Sequence, residues 1–173
     1  MSTFWIQTYT GKVFDLAEPK EEMVDIVDIA HALSQMCRFT GHSDKPYSVS
    51  EHCCHCRDIA AEPFRLEALL HDAPEAYYGD LNRPMKRLLG VNAKAHMDNI
   101  DRVVRSALGL LPLLPPEVRE IDNRLLMTEK VYLLKNTIKW PDIAEPYPAG
   151  FAIIKCWSPR RAEDEFLARI ESS

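Results

Sequence analysis

Apolar positions in this chain keep strand spacing only at its start and helical spacing over the rest. Phe4, Ile6 and Thr8 alternate up to Thr10-Gly11-Lys12, and Val13-Phe14 follow, which predicts a short hairpin or extended arm within residues 1–16. Ile26, Ile29, Ala30, Leu33 and Met36-Cys37 then recur every three or four residues, predicting a first helix ended by the polar run from Thr40 to Pro46. Ser48-Val49-Ser50-Glu51 fits a capping box, in which the serine hydroxyl accepts the Glu51 amide and Glu51 reaches back to the cap. A second helix runs from there to about Ala61. Pro63 opens a third, with Leu66, Leu69, Leu70 and Ala73 as its apolar stripe. Asn82-Arg83-Pro84 reads as a turn, Met97, Ile100, Val104 and Ala107-Leu108 as a fourth helix stopped at Gly109, and Pro112 to Pro116 as a stiff connector. A fifth helix is expected from about Glu117 to Asn136, with Val118, Ile121, Leu125 and Leu134 inward. A Pro-rich loop follows from Trp140 to Pro148. Ser158-Pro159 caps a last helix carrying Ala162, Phe166 and Ile170. The expected fold is all-α: one domain over 1–173, a bundle of about six helices with a short N-terminal extended arm.

Charge narrows the partners. Twenty-six acidic residues against twenty-one basic ones leave a net charge of -5, which repels a polyanion and argues against a nucleic-acid polymer or an anionic membrane. No window approaches 18 consecutive apolar residues, and Met1-Ser2-Thr3-Phe4 does not begin a basic-then-apolar leader, so a cytoplasmic protein is expected. Five cysteines at uneven spacing suit reduced thiols better than a disulfide framework. Cys53, Cys54 and Cys56 with His52 and His55 suggest a metal knuckle. Structural zinc wants a second, separated pair of ligands, however, so these cysteines are expected to be small buried helix residues.

The informative interruption is His71-Asp72, a polar pair inside a leucine stripe. Burying a carboxylate there requires a compensating cation. Neighbouring helix residues diverge by about 100°, so the pair reaches one ion only from its periphery and other helices must complete the site. His52 shares a helix face with Val49, Cys53 and Cys56, and Asp122 follows Ile121, so each can point inward. Two histidines and two aspartates suit Mn, Co, Fe or Zn. His31 and His96 read as ordinary hydrogen-bonded histidines.

Tyr47 to His52, then Glu67-Ala68-Leu69-Leu70-His71-Asp72-Ala73-Pro74-Glu75-Ala76-Tyr77, then Gly79 to Lys86, in this order and spacing, resemble an HD-domain phosphohydrolase. The subgroup resembled holds small 5'-deoxynucleotidases and phage deoxynucleotide hydrolases. The resemblance implies an HD-type bundle with His52, His71, Asp72 and Asp122 as ligands of a divalent ion: Mn, Co, Zn or Fe, with Mg a further option. Glu129 and Asp101 compete with Asp122 for the last of these places. It also implies that Glu75 handles the water or the leaving group, that Asp80 is a second carboxylate near the scissile phosphate, that Arg38 contacts the phosphate, and that Phe39 packs on base or sugar. Lys86 and Arg83 can join Arg38 in neutralising phosphate charge.

The expected reaction is hydrolysis of a deoxynucleotide by a metal-activated water, either as a dNMP 5'-nucleotidase or as a dNTP triphosphohydrolase acting, for example, on dATP. A catalytically idle metal-binding nucleotide sensor, or a bundle stapled by its metal, is the alternative; Glu75 and Asp80 beside the ligands argue against it, because stapling needs only ligands. Cyclic-nucleotide or RNA phosphodiester hydrolysis would want an open basic groove, which the acidic balance disfavours. The expected partners are a deoxynucleotide substrate and further copies of the chain as a homo-oligomer, in a bacterial or phage-infected cytoplasm.

Overall fold

A computed structural model describes residues 3–135, 138–141, 143–151 and 154–172. The N-terminal arm is a hairpin. Strands β1 (Trp5–Gln7) and β2 (Val13–Asp15) pair antiparallel with Ile6 opposite Phe14. Phe14 is fully buried and stacks on Tyr77 at 3.7 Å between ring centroids, which ties the arm to the helical core. Asp28 adds a polar tie by accepting the Thr10 amide (2.6 Å) and hydroxyl (3.0 Å).

Helix α1 (Ile26–Gln35) starts where Asp25 accepts the Val27 amide and buries Ile29, Ala30 and Leu33. Its predicted inward stripe stops short of Cys37, which is exposed. The chain then turns sharply. Phe39 and Thr40 take φ of 56° and 54°, a left-handed conformation disfavoured for bulky side chains, and Gly41 continues it at 76°. A short antiparallel bridge, Arg38 N to Tyr47 O (2.8 Å) and Val49 N to Met36 O (3.0 Å), closes this turn beside the start of the next helix.

That helix, α2 (Val49–Ile59), is the axis of the fold and packs against α1, α3 (Arg65–Leu70), α6 (Pro116–Leu133) and α7 (Pro159–Glu171). Such crowding needs small side chains, and Ser50, Cys53, Cys54 and Cys56 are all fully buried. The expected capping box is only half formed. Ser48 Oγ does accept the Glu51 amide (3.1 Å), but Glu51 turns away to accept the amides of Lys155 (2.8 Å), Cys156 (3.0 Å) and Trp157 (2.5 Å). The C-terminal segment is thereby fastened to α2, and Ser50 Oγ donates to Ala162 O (2.8 Å) in α7.

Leu66 is largely outward, at 37% exposure, while Leu69, Leu70 and Ala73 are buried as expected. After α3 come the short α4 (Glu75–Tyr78) and then α5 (Arg83–Ala107). The stretch expected to be a turn is a helix start: Asn82 Oδ1 accepts the Met85 amide (2.9 Å), and Pro84 sits in the first turn, where its missing N–H costs nothing. Gly90, at φ 77° and ψ -171°, breaks the helix, and Met85, Leu88, Leu89 and Val91 around the break are exposed. The apolar stripe therefore registers only from Met97 onward, although the helix begins earlier. In α6, Val118, Leu125 and Leu133 are buried whereas Ile121 and Leu134 are half-buried; the predicted terminus at Asn136 lies outside the described residues. Among the described residues no helix is long and apolar enough to cross a membrane.

Replacing Glu51 by Ala leaves three amides of the C-terminal segment without their acceptor. The Trp157 amide is buried and the other two are part-buried, within reach of water; a buried donor left unsatisfied costs about 1–3 kcal/mol, so Glu51→Ala is expected to destabilise the fold by about that amount, read as a lowered urea midpoint at unchanged slope.

Candidate metal centre

Three elements bring the predicted residues together. α2 supplies His52, fully buried; the turn after α3 supplies His71 and Asp72; α6 supplies Asp122. His52 Nε2 lies 3.3 Å from His71 Nε2, 3.3 Å from Asp122 Oδ1 and 3.8 Å from Asp72 Oδ2, and His71 Nε2 lies 3.3 Å from the same Asp72 oxygen.

Partners on the far side of each ring fix what these nitrogens can do. Each Nδ1 is committed, that of His52 to Glu129 Oε1 (2.6 Å) and that of His71 to the Ala68 carbonyl (2.8 Å). With Nδ1–H donating, a neutral imidazole at each position turns its Nε2 lone pair toward the two carboxylates. Such a set of donors attracts positive charge, which imidazolium protons supply when no ion is bound and a divalent ion supplies when the rings are neutral. Burial works against charging either imidazole, yet the surrounding acidic groups hold both well above the usual histidine range, Asp72 contributing most for His71. Asp72 itself is held low despite its burial, with His71 the main cause.

The residues fit a divalent ion on two counts. Ligands at about 2.0–2.1 Å from one ion stand about 2.9–3.4 Å apart, which covers the short contacts above. Negative charge is also in excess: three carboxylates (Asp72, Asp122, Glu129) face one buried guanidinium (Arg38) and, at the rim, the exposed Arg83 beside Asp122, when both imidazoles are neutral. Two overlapping groups here are compatible with a metal, His52 with Cys56 and His71, and Cys53 with His71 and Asp72.

Geometry separates the three acidic residues that compete for the last place. Asp122 faces His52 Nε2, whereas Glu129, seven residues on and on the same face of α6, takes His52 Nδ1. Asp101 lies elsewhere, accepting the Tyr78 hydroxyl (2.9 Å). Fully buried Glu129 also accepts Tyr47 OH (2.8 Å) and Arg38 Nε (3.0 Å), so one carboxylate orients a candidate ligand and holds the candidate phosphate arginine. Arg38 Nη1 reaches to 3.6 Å from Asp72.

The remaining predicted residues ring this cluster. Glu75 Oε1 accepts Lys86 Nζ (3.0 Å), while its Oε2 is buried without a partner in the structure. Burial, with the Asp72 charge second, pushes the Glu75 carboxyl up to about 8. Burial likewise raises Asp80, which also feels Arg38, Asp72 and His52. Arg83 is exposed and reaches Asp122 Oδ2 (3.5 Å) and Asn123 Oδ1 (2.5 Å). Half-buried Phe39 lies beside the Arg38 guanidinium (5.7 Å) and faces Trp140 at 6.3 Å. His55 is not part of the cluster; it lies against Trp157, and His31 stacks on Tyr9. Three neighbours escaped the sequence reading: Tyr47, Trp140 and the role of Glu129. Only Glu129 carried a signal, its two-turn spacing from Asp122.

Glu129→Gln should weaken Mn or Zn binding roughly ten- to a hundredfold, because the amide cannot accept from His52, Tyr47 and Arg38 as the carboxylate does. Calorimetric titration of the folded variant measures it, and unchanged affinity would remove Glu129 from this role.

No protein-family model matches the chain. Two proteins resemble it. "Uncharacterized protein YfdR" of Escherichia coli (strain K12) is 39% identical over 168 residues, covering 95% of this chain and 93% of that protein. "Uncharacterized protein RCAP_rcc00048" of Rhodobacter capsulatus is 34% identical over 128 residues, which is 69% of this chain and 65% of that protein's length. With near-complete coverage in both directions at that identity, the chain belongs to the same family as YfdR.

Proposed function

We propose that the chain is an HD-domain phosphohydrolase that uses a divalent ion, one of Mn, Co, Zn or Fe, to hydrolyse a deoxynucleotide phosphate. The observation that carries this reading is the convergence of His52 Nε2, His71 Nε2, Asp72 and Asp122 from three elements, with buried Arg38 and the Lys86–Glu75 pair beside them. The ion, when bound, supplies Lewis-acid activation of water and of a phosphoryl oxygen.

The protein's own groups do the rest. Arg38 is fixed through Nε on Glu129, which leaves its terminal nitrogens for a phosphate oxygen. Lys86 adds a second positive charge from the first turn of α5. Glu75, held protonated through neutrality by its burial, has an Oε2 with no partner and can give that proton to the departing oxygen. Phe39 and Trp140 offer aromatic surface beside Arg38 for base or sugar. A phosphate monoester and a triphosphate are both served by this set of groups. A deoxynucleotide is the partner proposed, in a homo-oligomer.

Product analysis by chromatography over all dNMPs and dNTPs with Mn, Co, Zn and Mg in turn tests the reading. Hydrolysis of none of them, with metal demonstrably bound, overturns it in favour of a sensor. His71→Ala or Asp72→Ala should lose both metal and turnover, and full retention of both in either variant would dismantle the site. Glu75→Gln should keep the metal and lose about 10²–10⁴-fold in rate. The wild-type rate should fall as pH rises through about 8, where Glu75 loses its proton, and that limb should vanish in Glu75→Gln. Arg38→Ala and Lys86→Ala should each lower kcat/KM roughly ten- to a hundredfold without loss of metal.

A further inference from the structure

The convergent nitrogens have a second side. Cys56 follows His52 by one helical turn on the same face of α2, is fully buried, and brings its Sγ to 3.5 Å from His52 Nε2. Cys56, His52 and His71 each place a donor atom within 4.8 Å of the other two, and Cys53, His71 and Asp72 do the same. A thiolate at about 2.3 Å and an imidazole at about 2.0–2.1 Å from one ion stand about 3.1–3.6 Å apart, so the Cys56–His52 distance is that of two ligands sharing an ion. The centre thus has a hard side, Asp72 and Asp122, and a soft side of sulfur behind the histidines. Helix packing accounts for the smallness of the residue at position 56, and the thiol it carries lies against the same Nε2 that faces His71 and Asp122.

From this arrangement we propose that Cys56 is a thiolate ligand of the centre and makes it selective for thiophilic divalent ions, Zn, Co or Cd, over Mg and Mn. The inference rests on the proposed metal centre and adds a donor to it. Coordination breaks the S–H bond, the sulfur keeps the electron pair, and the proton leaves to solvent as the metal–sulfur bond forms. Thiolate prefers softer, more polarisable ions, while carboxylate and water suit Mg and Mn equally well without it.

The test is cobalt substitution of the full-length protein. Wild type loaded with Co(II) is expected to show an intense sulfur-to-cobalt charge-transfer band in the near ultraviolet. That band should disappear in Cys56→Ser and persist in Cys37→Ser, whose cysteine is exposed. Cd affinity should fall roughly ten- to a hundredfold in Cys56→Ser while Mn affinity changes little. Because a serine at this buried position can compromise folding, cadmium-113 resonance of the wild-type protein gives the same answer without a variant, a shift characteristic of sulfur ligation supporting the proposal. Cobalt bound with no charge-transfer band overturns it and leaves the metal centre standing. A band lost in Cys53→Ser but kept in Cys56→Ser overturns the assignment to Cys56. No cobalt binding at all overturns the metal centre itself, and this inference with it.

Discussion

Neutralising buried charge at the junction of α2, α3 and α6 is the constraint from which the rest of the structure follows. Three carboxylates and two imidazoles meet there with one buried guanidinium. Water would solvate such groups cheaply; a protein interior must supply each with a partner, or the fold loses several kcal/mol per unpaired ion. Glu129 satisfies the most demands at once, accepting hydrogen bonds from His52, Tyr47 and Arg38, and its carboxyl is lowered despite complete burial, Arg38 being the main cause. Its position orients the His52 ring, with Nδ1 toward Glu129 and Nε2 toward the centre.

The same constraint explains the composition of α2. A helix whose middle carries an oriented histidine must be gripped from every side, and only small residues let four helices approach it closely. Ser50, Cys53, Cys54 and Cys56 meet that need, and the N-terminal end of the helix is secured by Ser48 capping the Glu51 amide and by the Glu51 carboxylate on three C-terminal amides. The cysteines contribute to separate parts of the core, Cys53 and Cys54 to one cluster and Cys56 to another. Packing and chemistry therefore draw on the same positions.

What could be read from sequence followed from local pattern. His71-Asp72 stands out because a leucine stripe should not contain a carboxylate, and the helical spacing of α1 and α7 and the hairpin alternation are short-range signals. Failures occurred where the deciding partner is remote or where a residue type has two readings. Glu51 looks like a capping-box residue, yet the three amides its carboxylate accepts lie more than a hundred positions away. Asn82-Arg83-Pro84 suits a turn and a helix start equally, and Gly90 conceals the early part of α5 by breaking its apolar period. For Asp122 and Glu129 the sequence offers two acidic residues on one face; only the direction in which His52 presents its two nitrogens assigns them.

The centre and the cations around it are held by different means. Its donors come from elements locked into the core, and Arg38 is held by Glu129 and by a left-handed turn that the bridge to Tyr47 keeps closed. Lys86 and Arg83 come instead from the stretch of α5 before Gly90, whose apolar side chains at Leu88 and Leu89 are exposed. That stretch meets the site through polar contacts: Asn82 to Thr40, Arg83 to Asp122 and Asn123, Lys86 to Glu75. Such contacts are exchangeable for contacts to an anion in a way that apolar packing is not, since a phosphate oxygen can take the place of a carboxylate oxygen at Lys86 or Arg83 with little change in geometry. On the proposed reading, the half of the site locked into the core would set where an ion and a phosphorus atom sit, and the half carried by α5 would adjust to the charge that arrives.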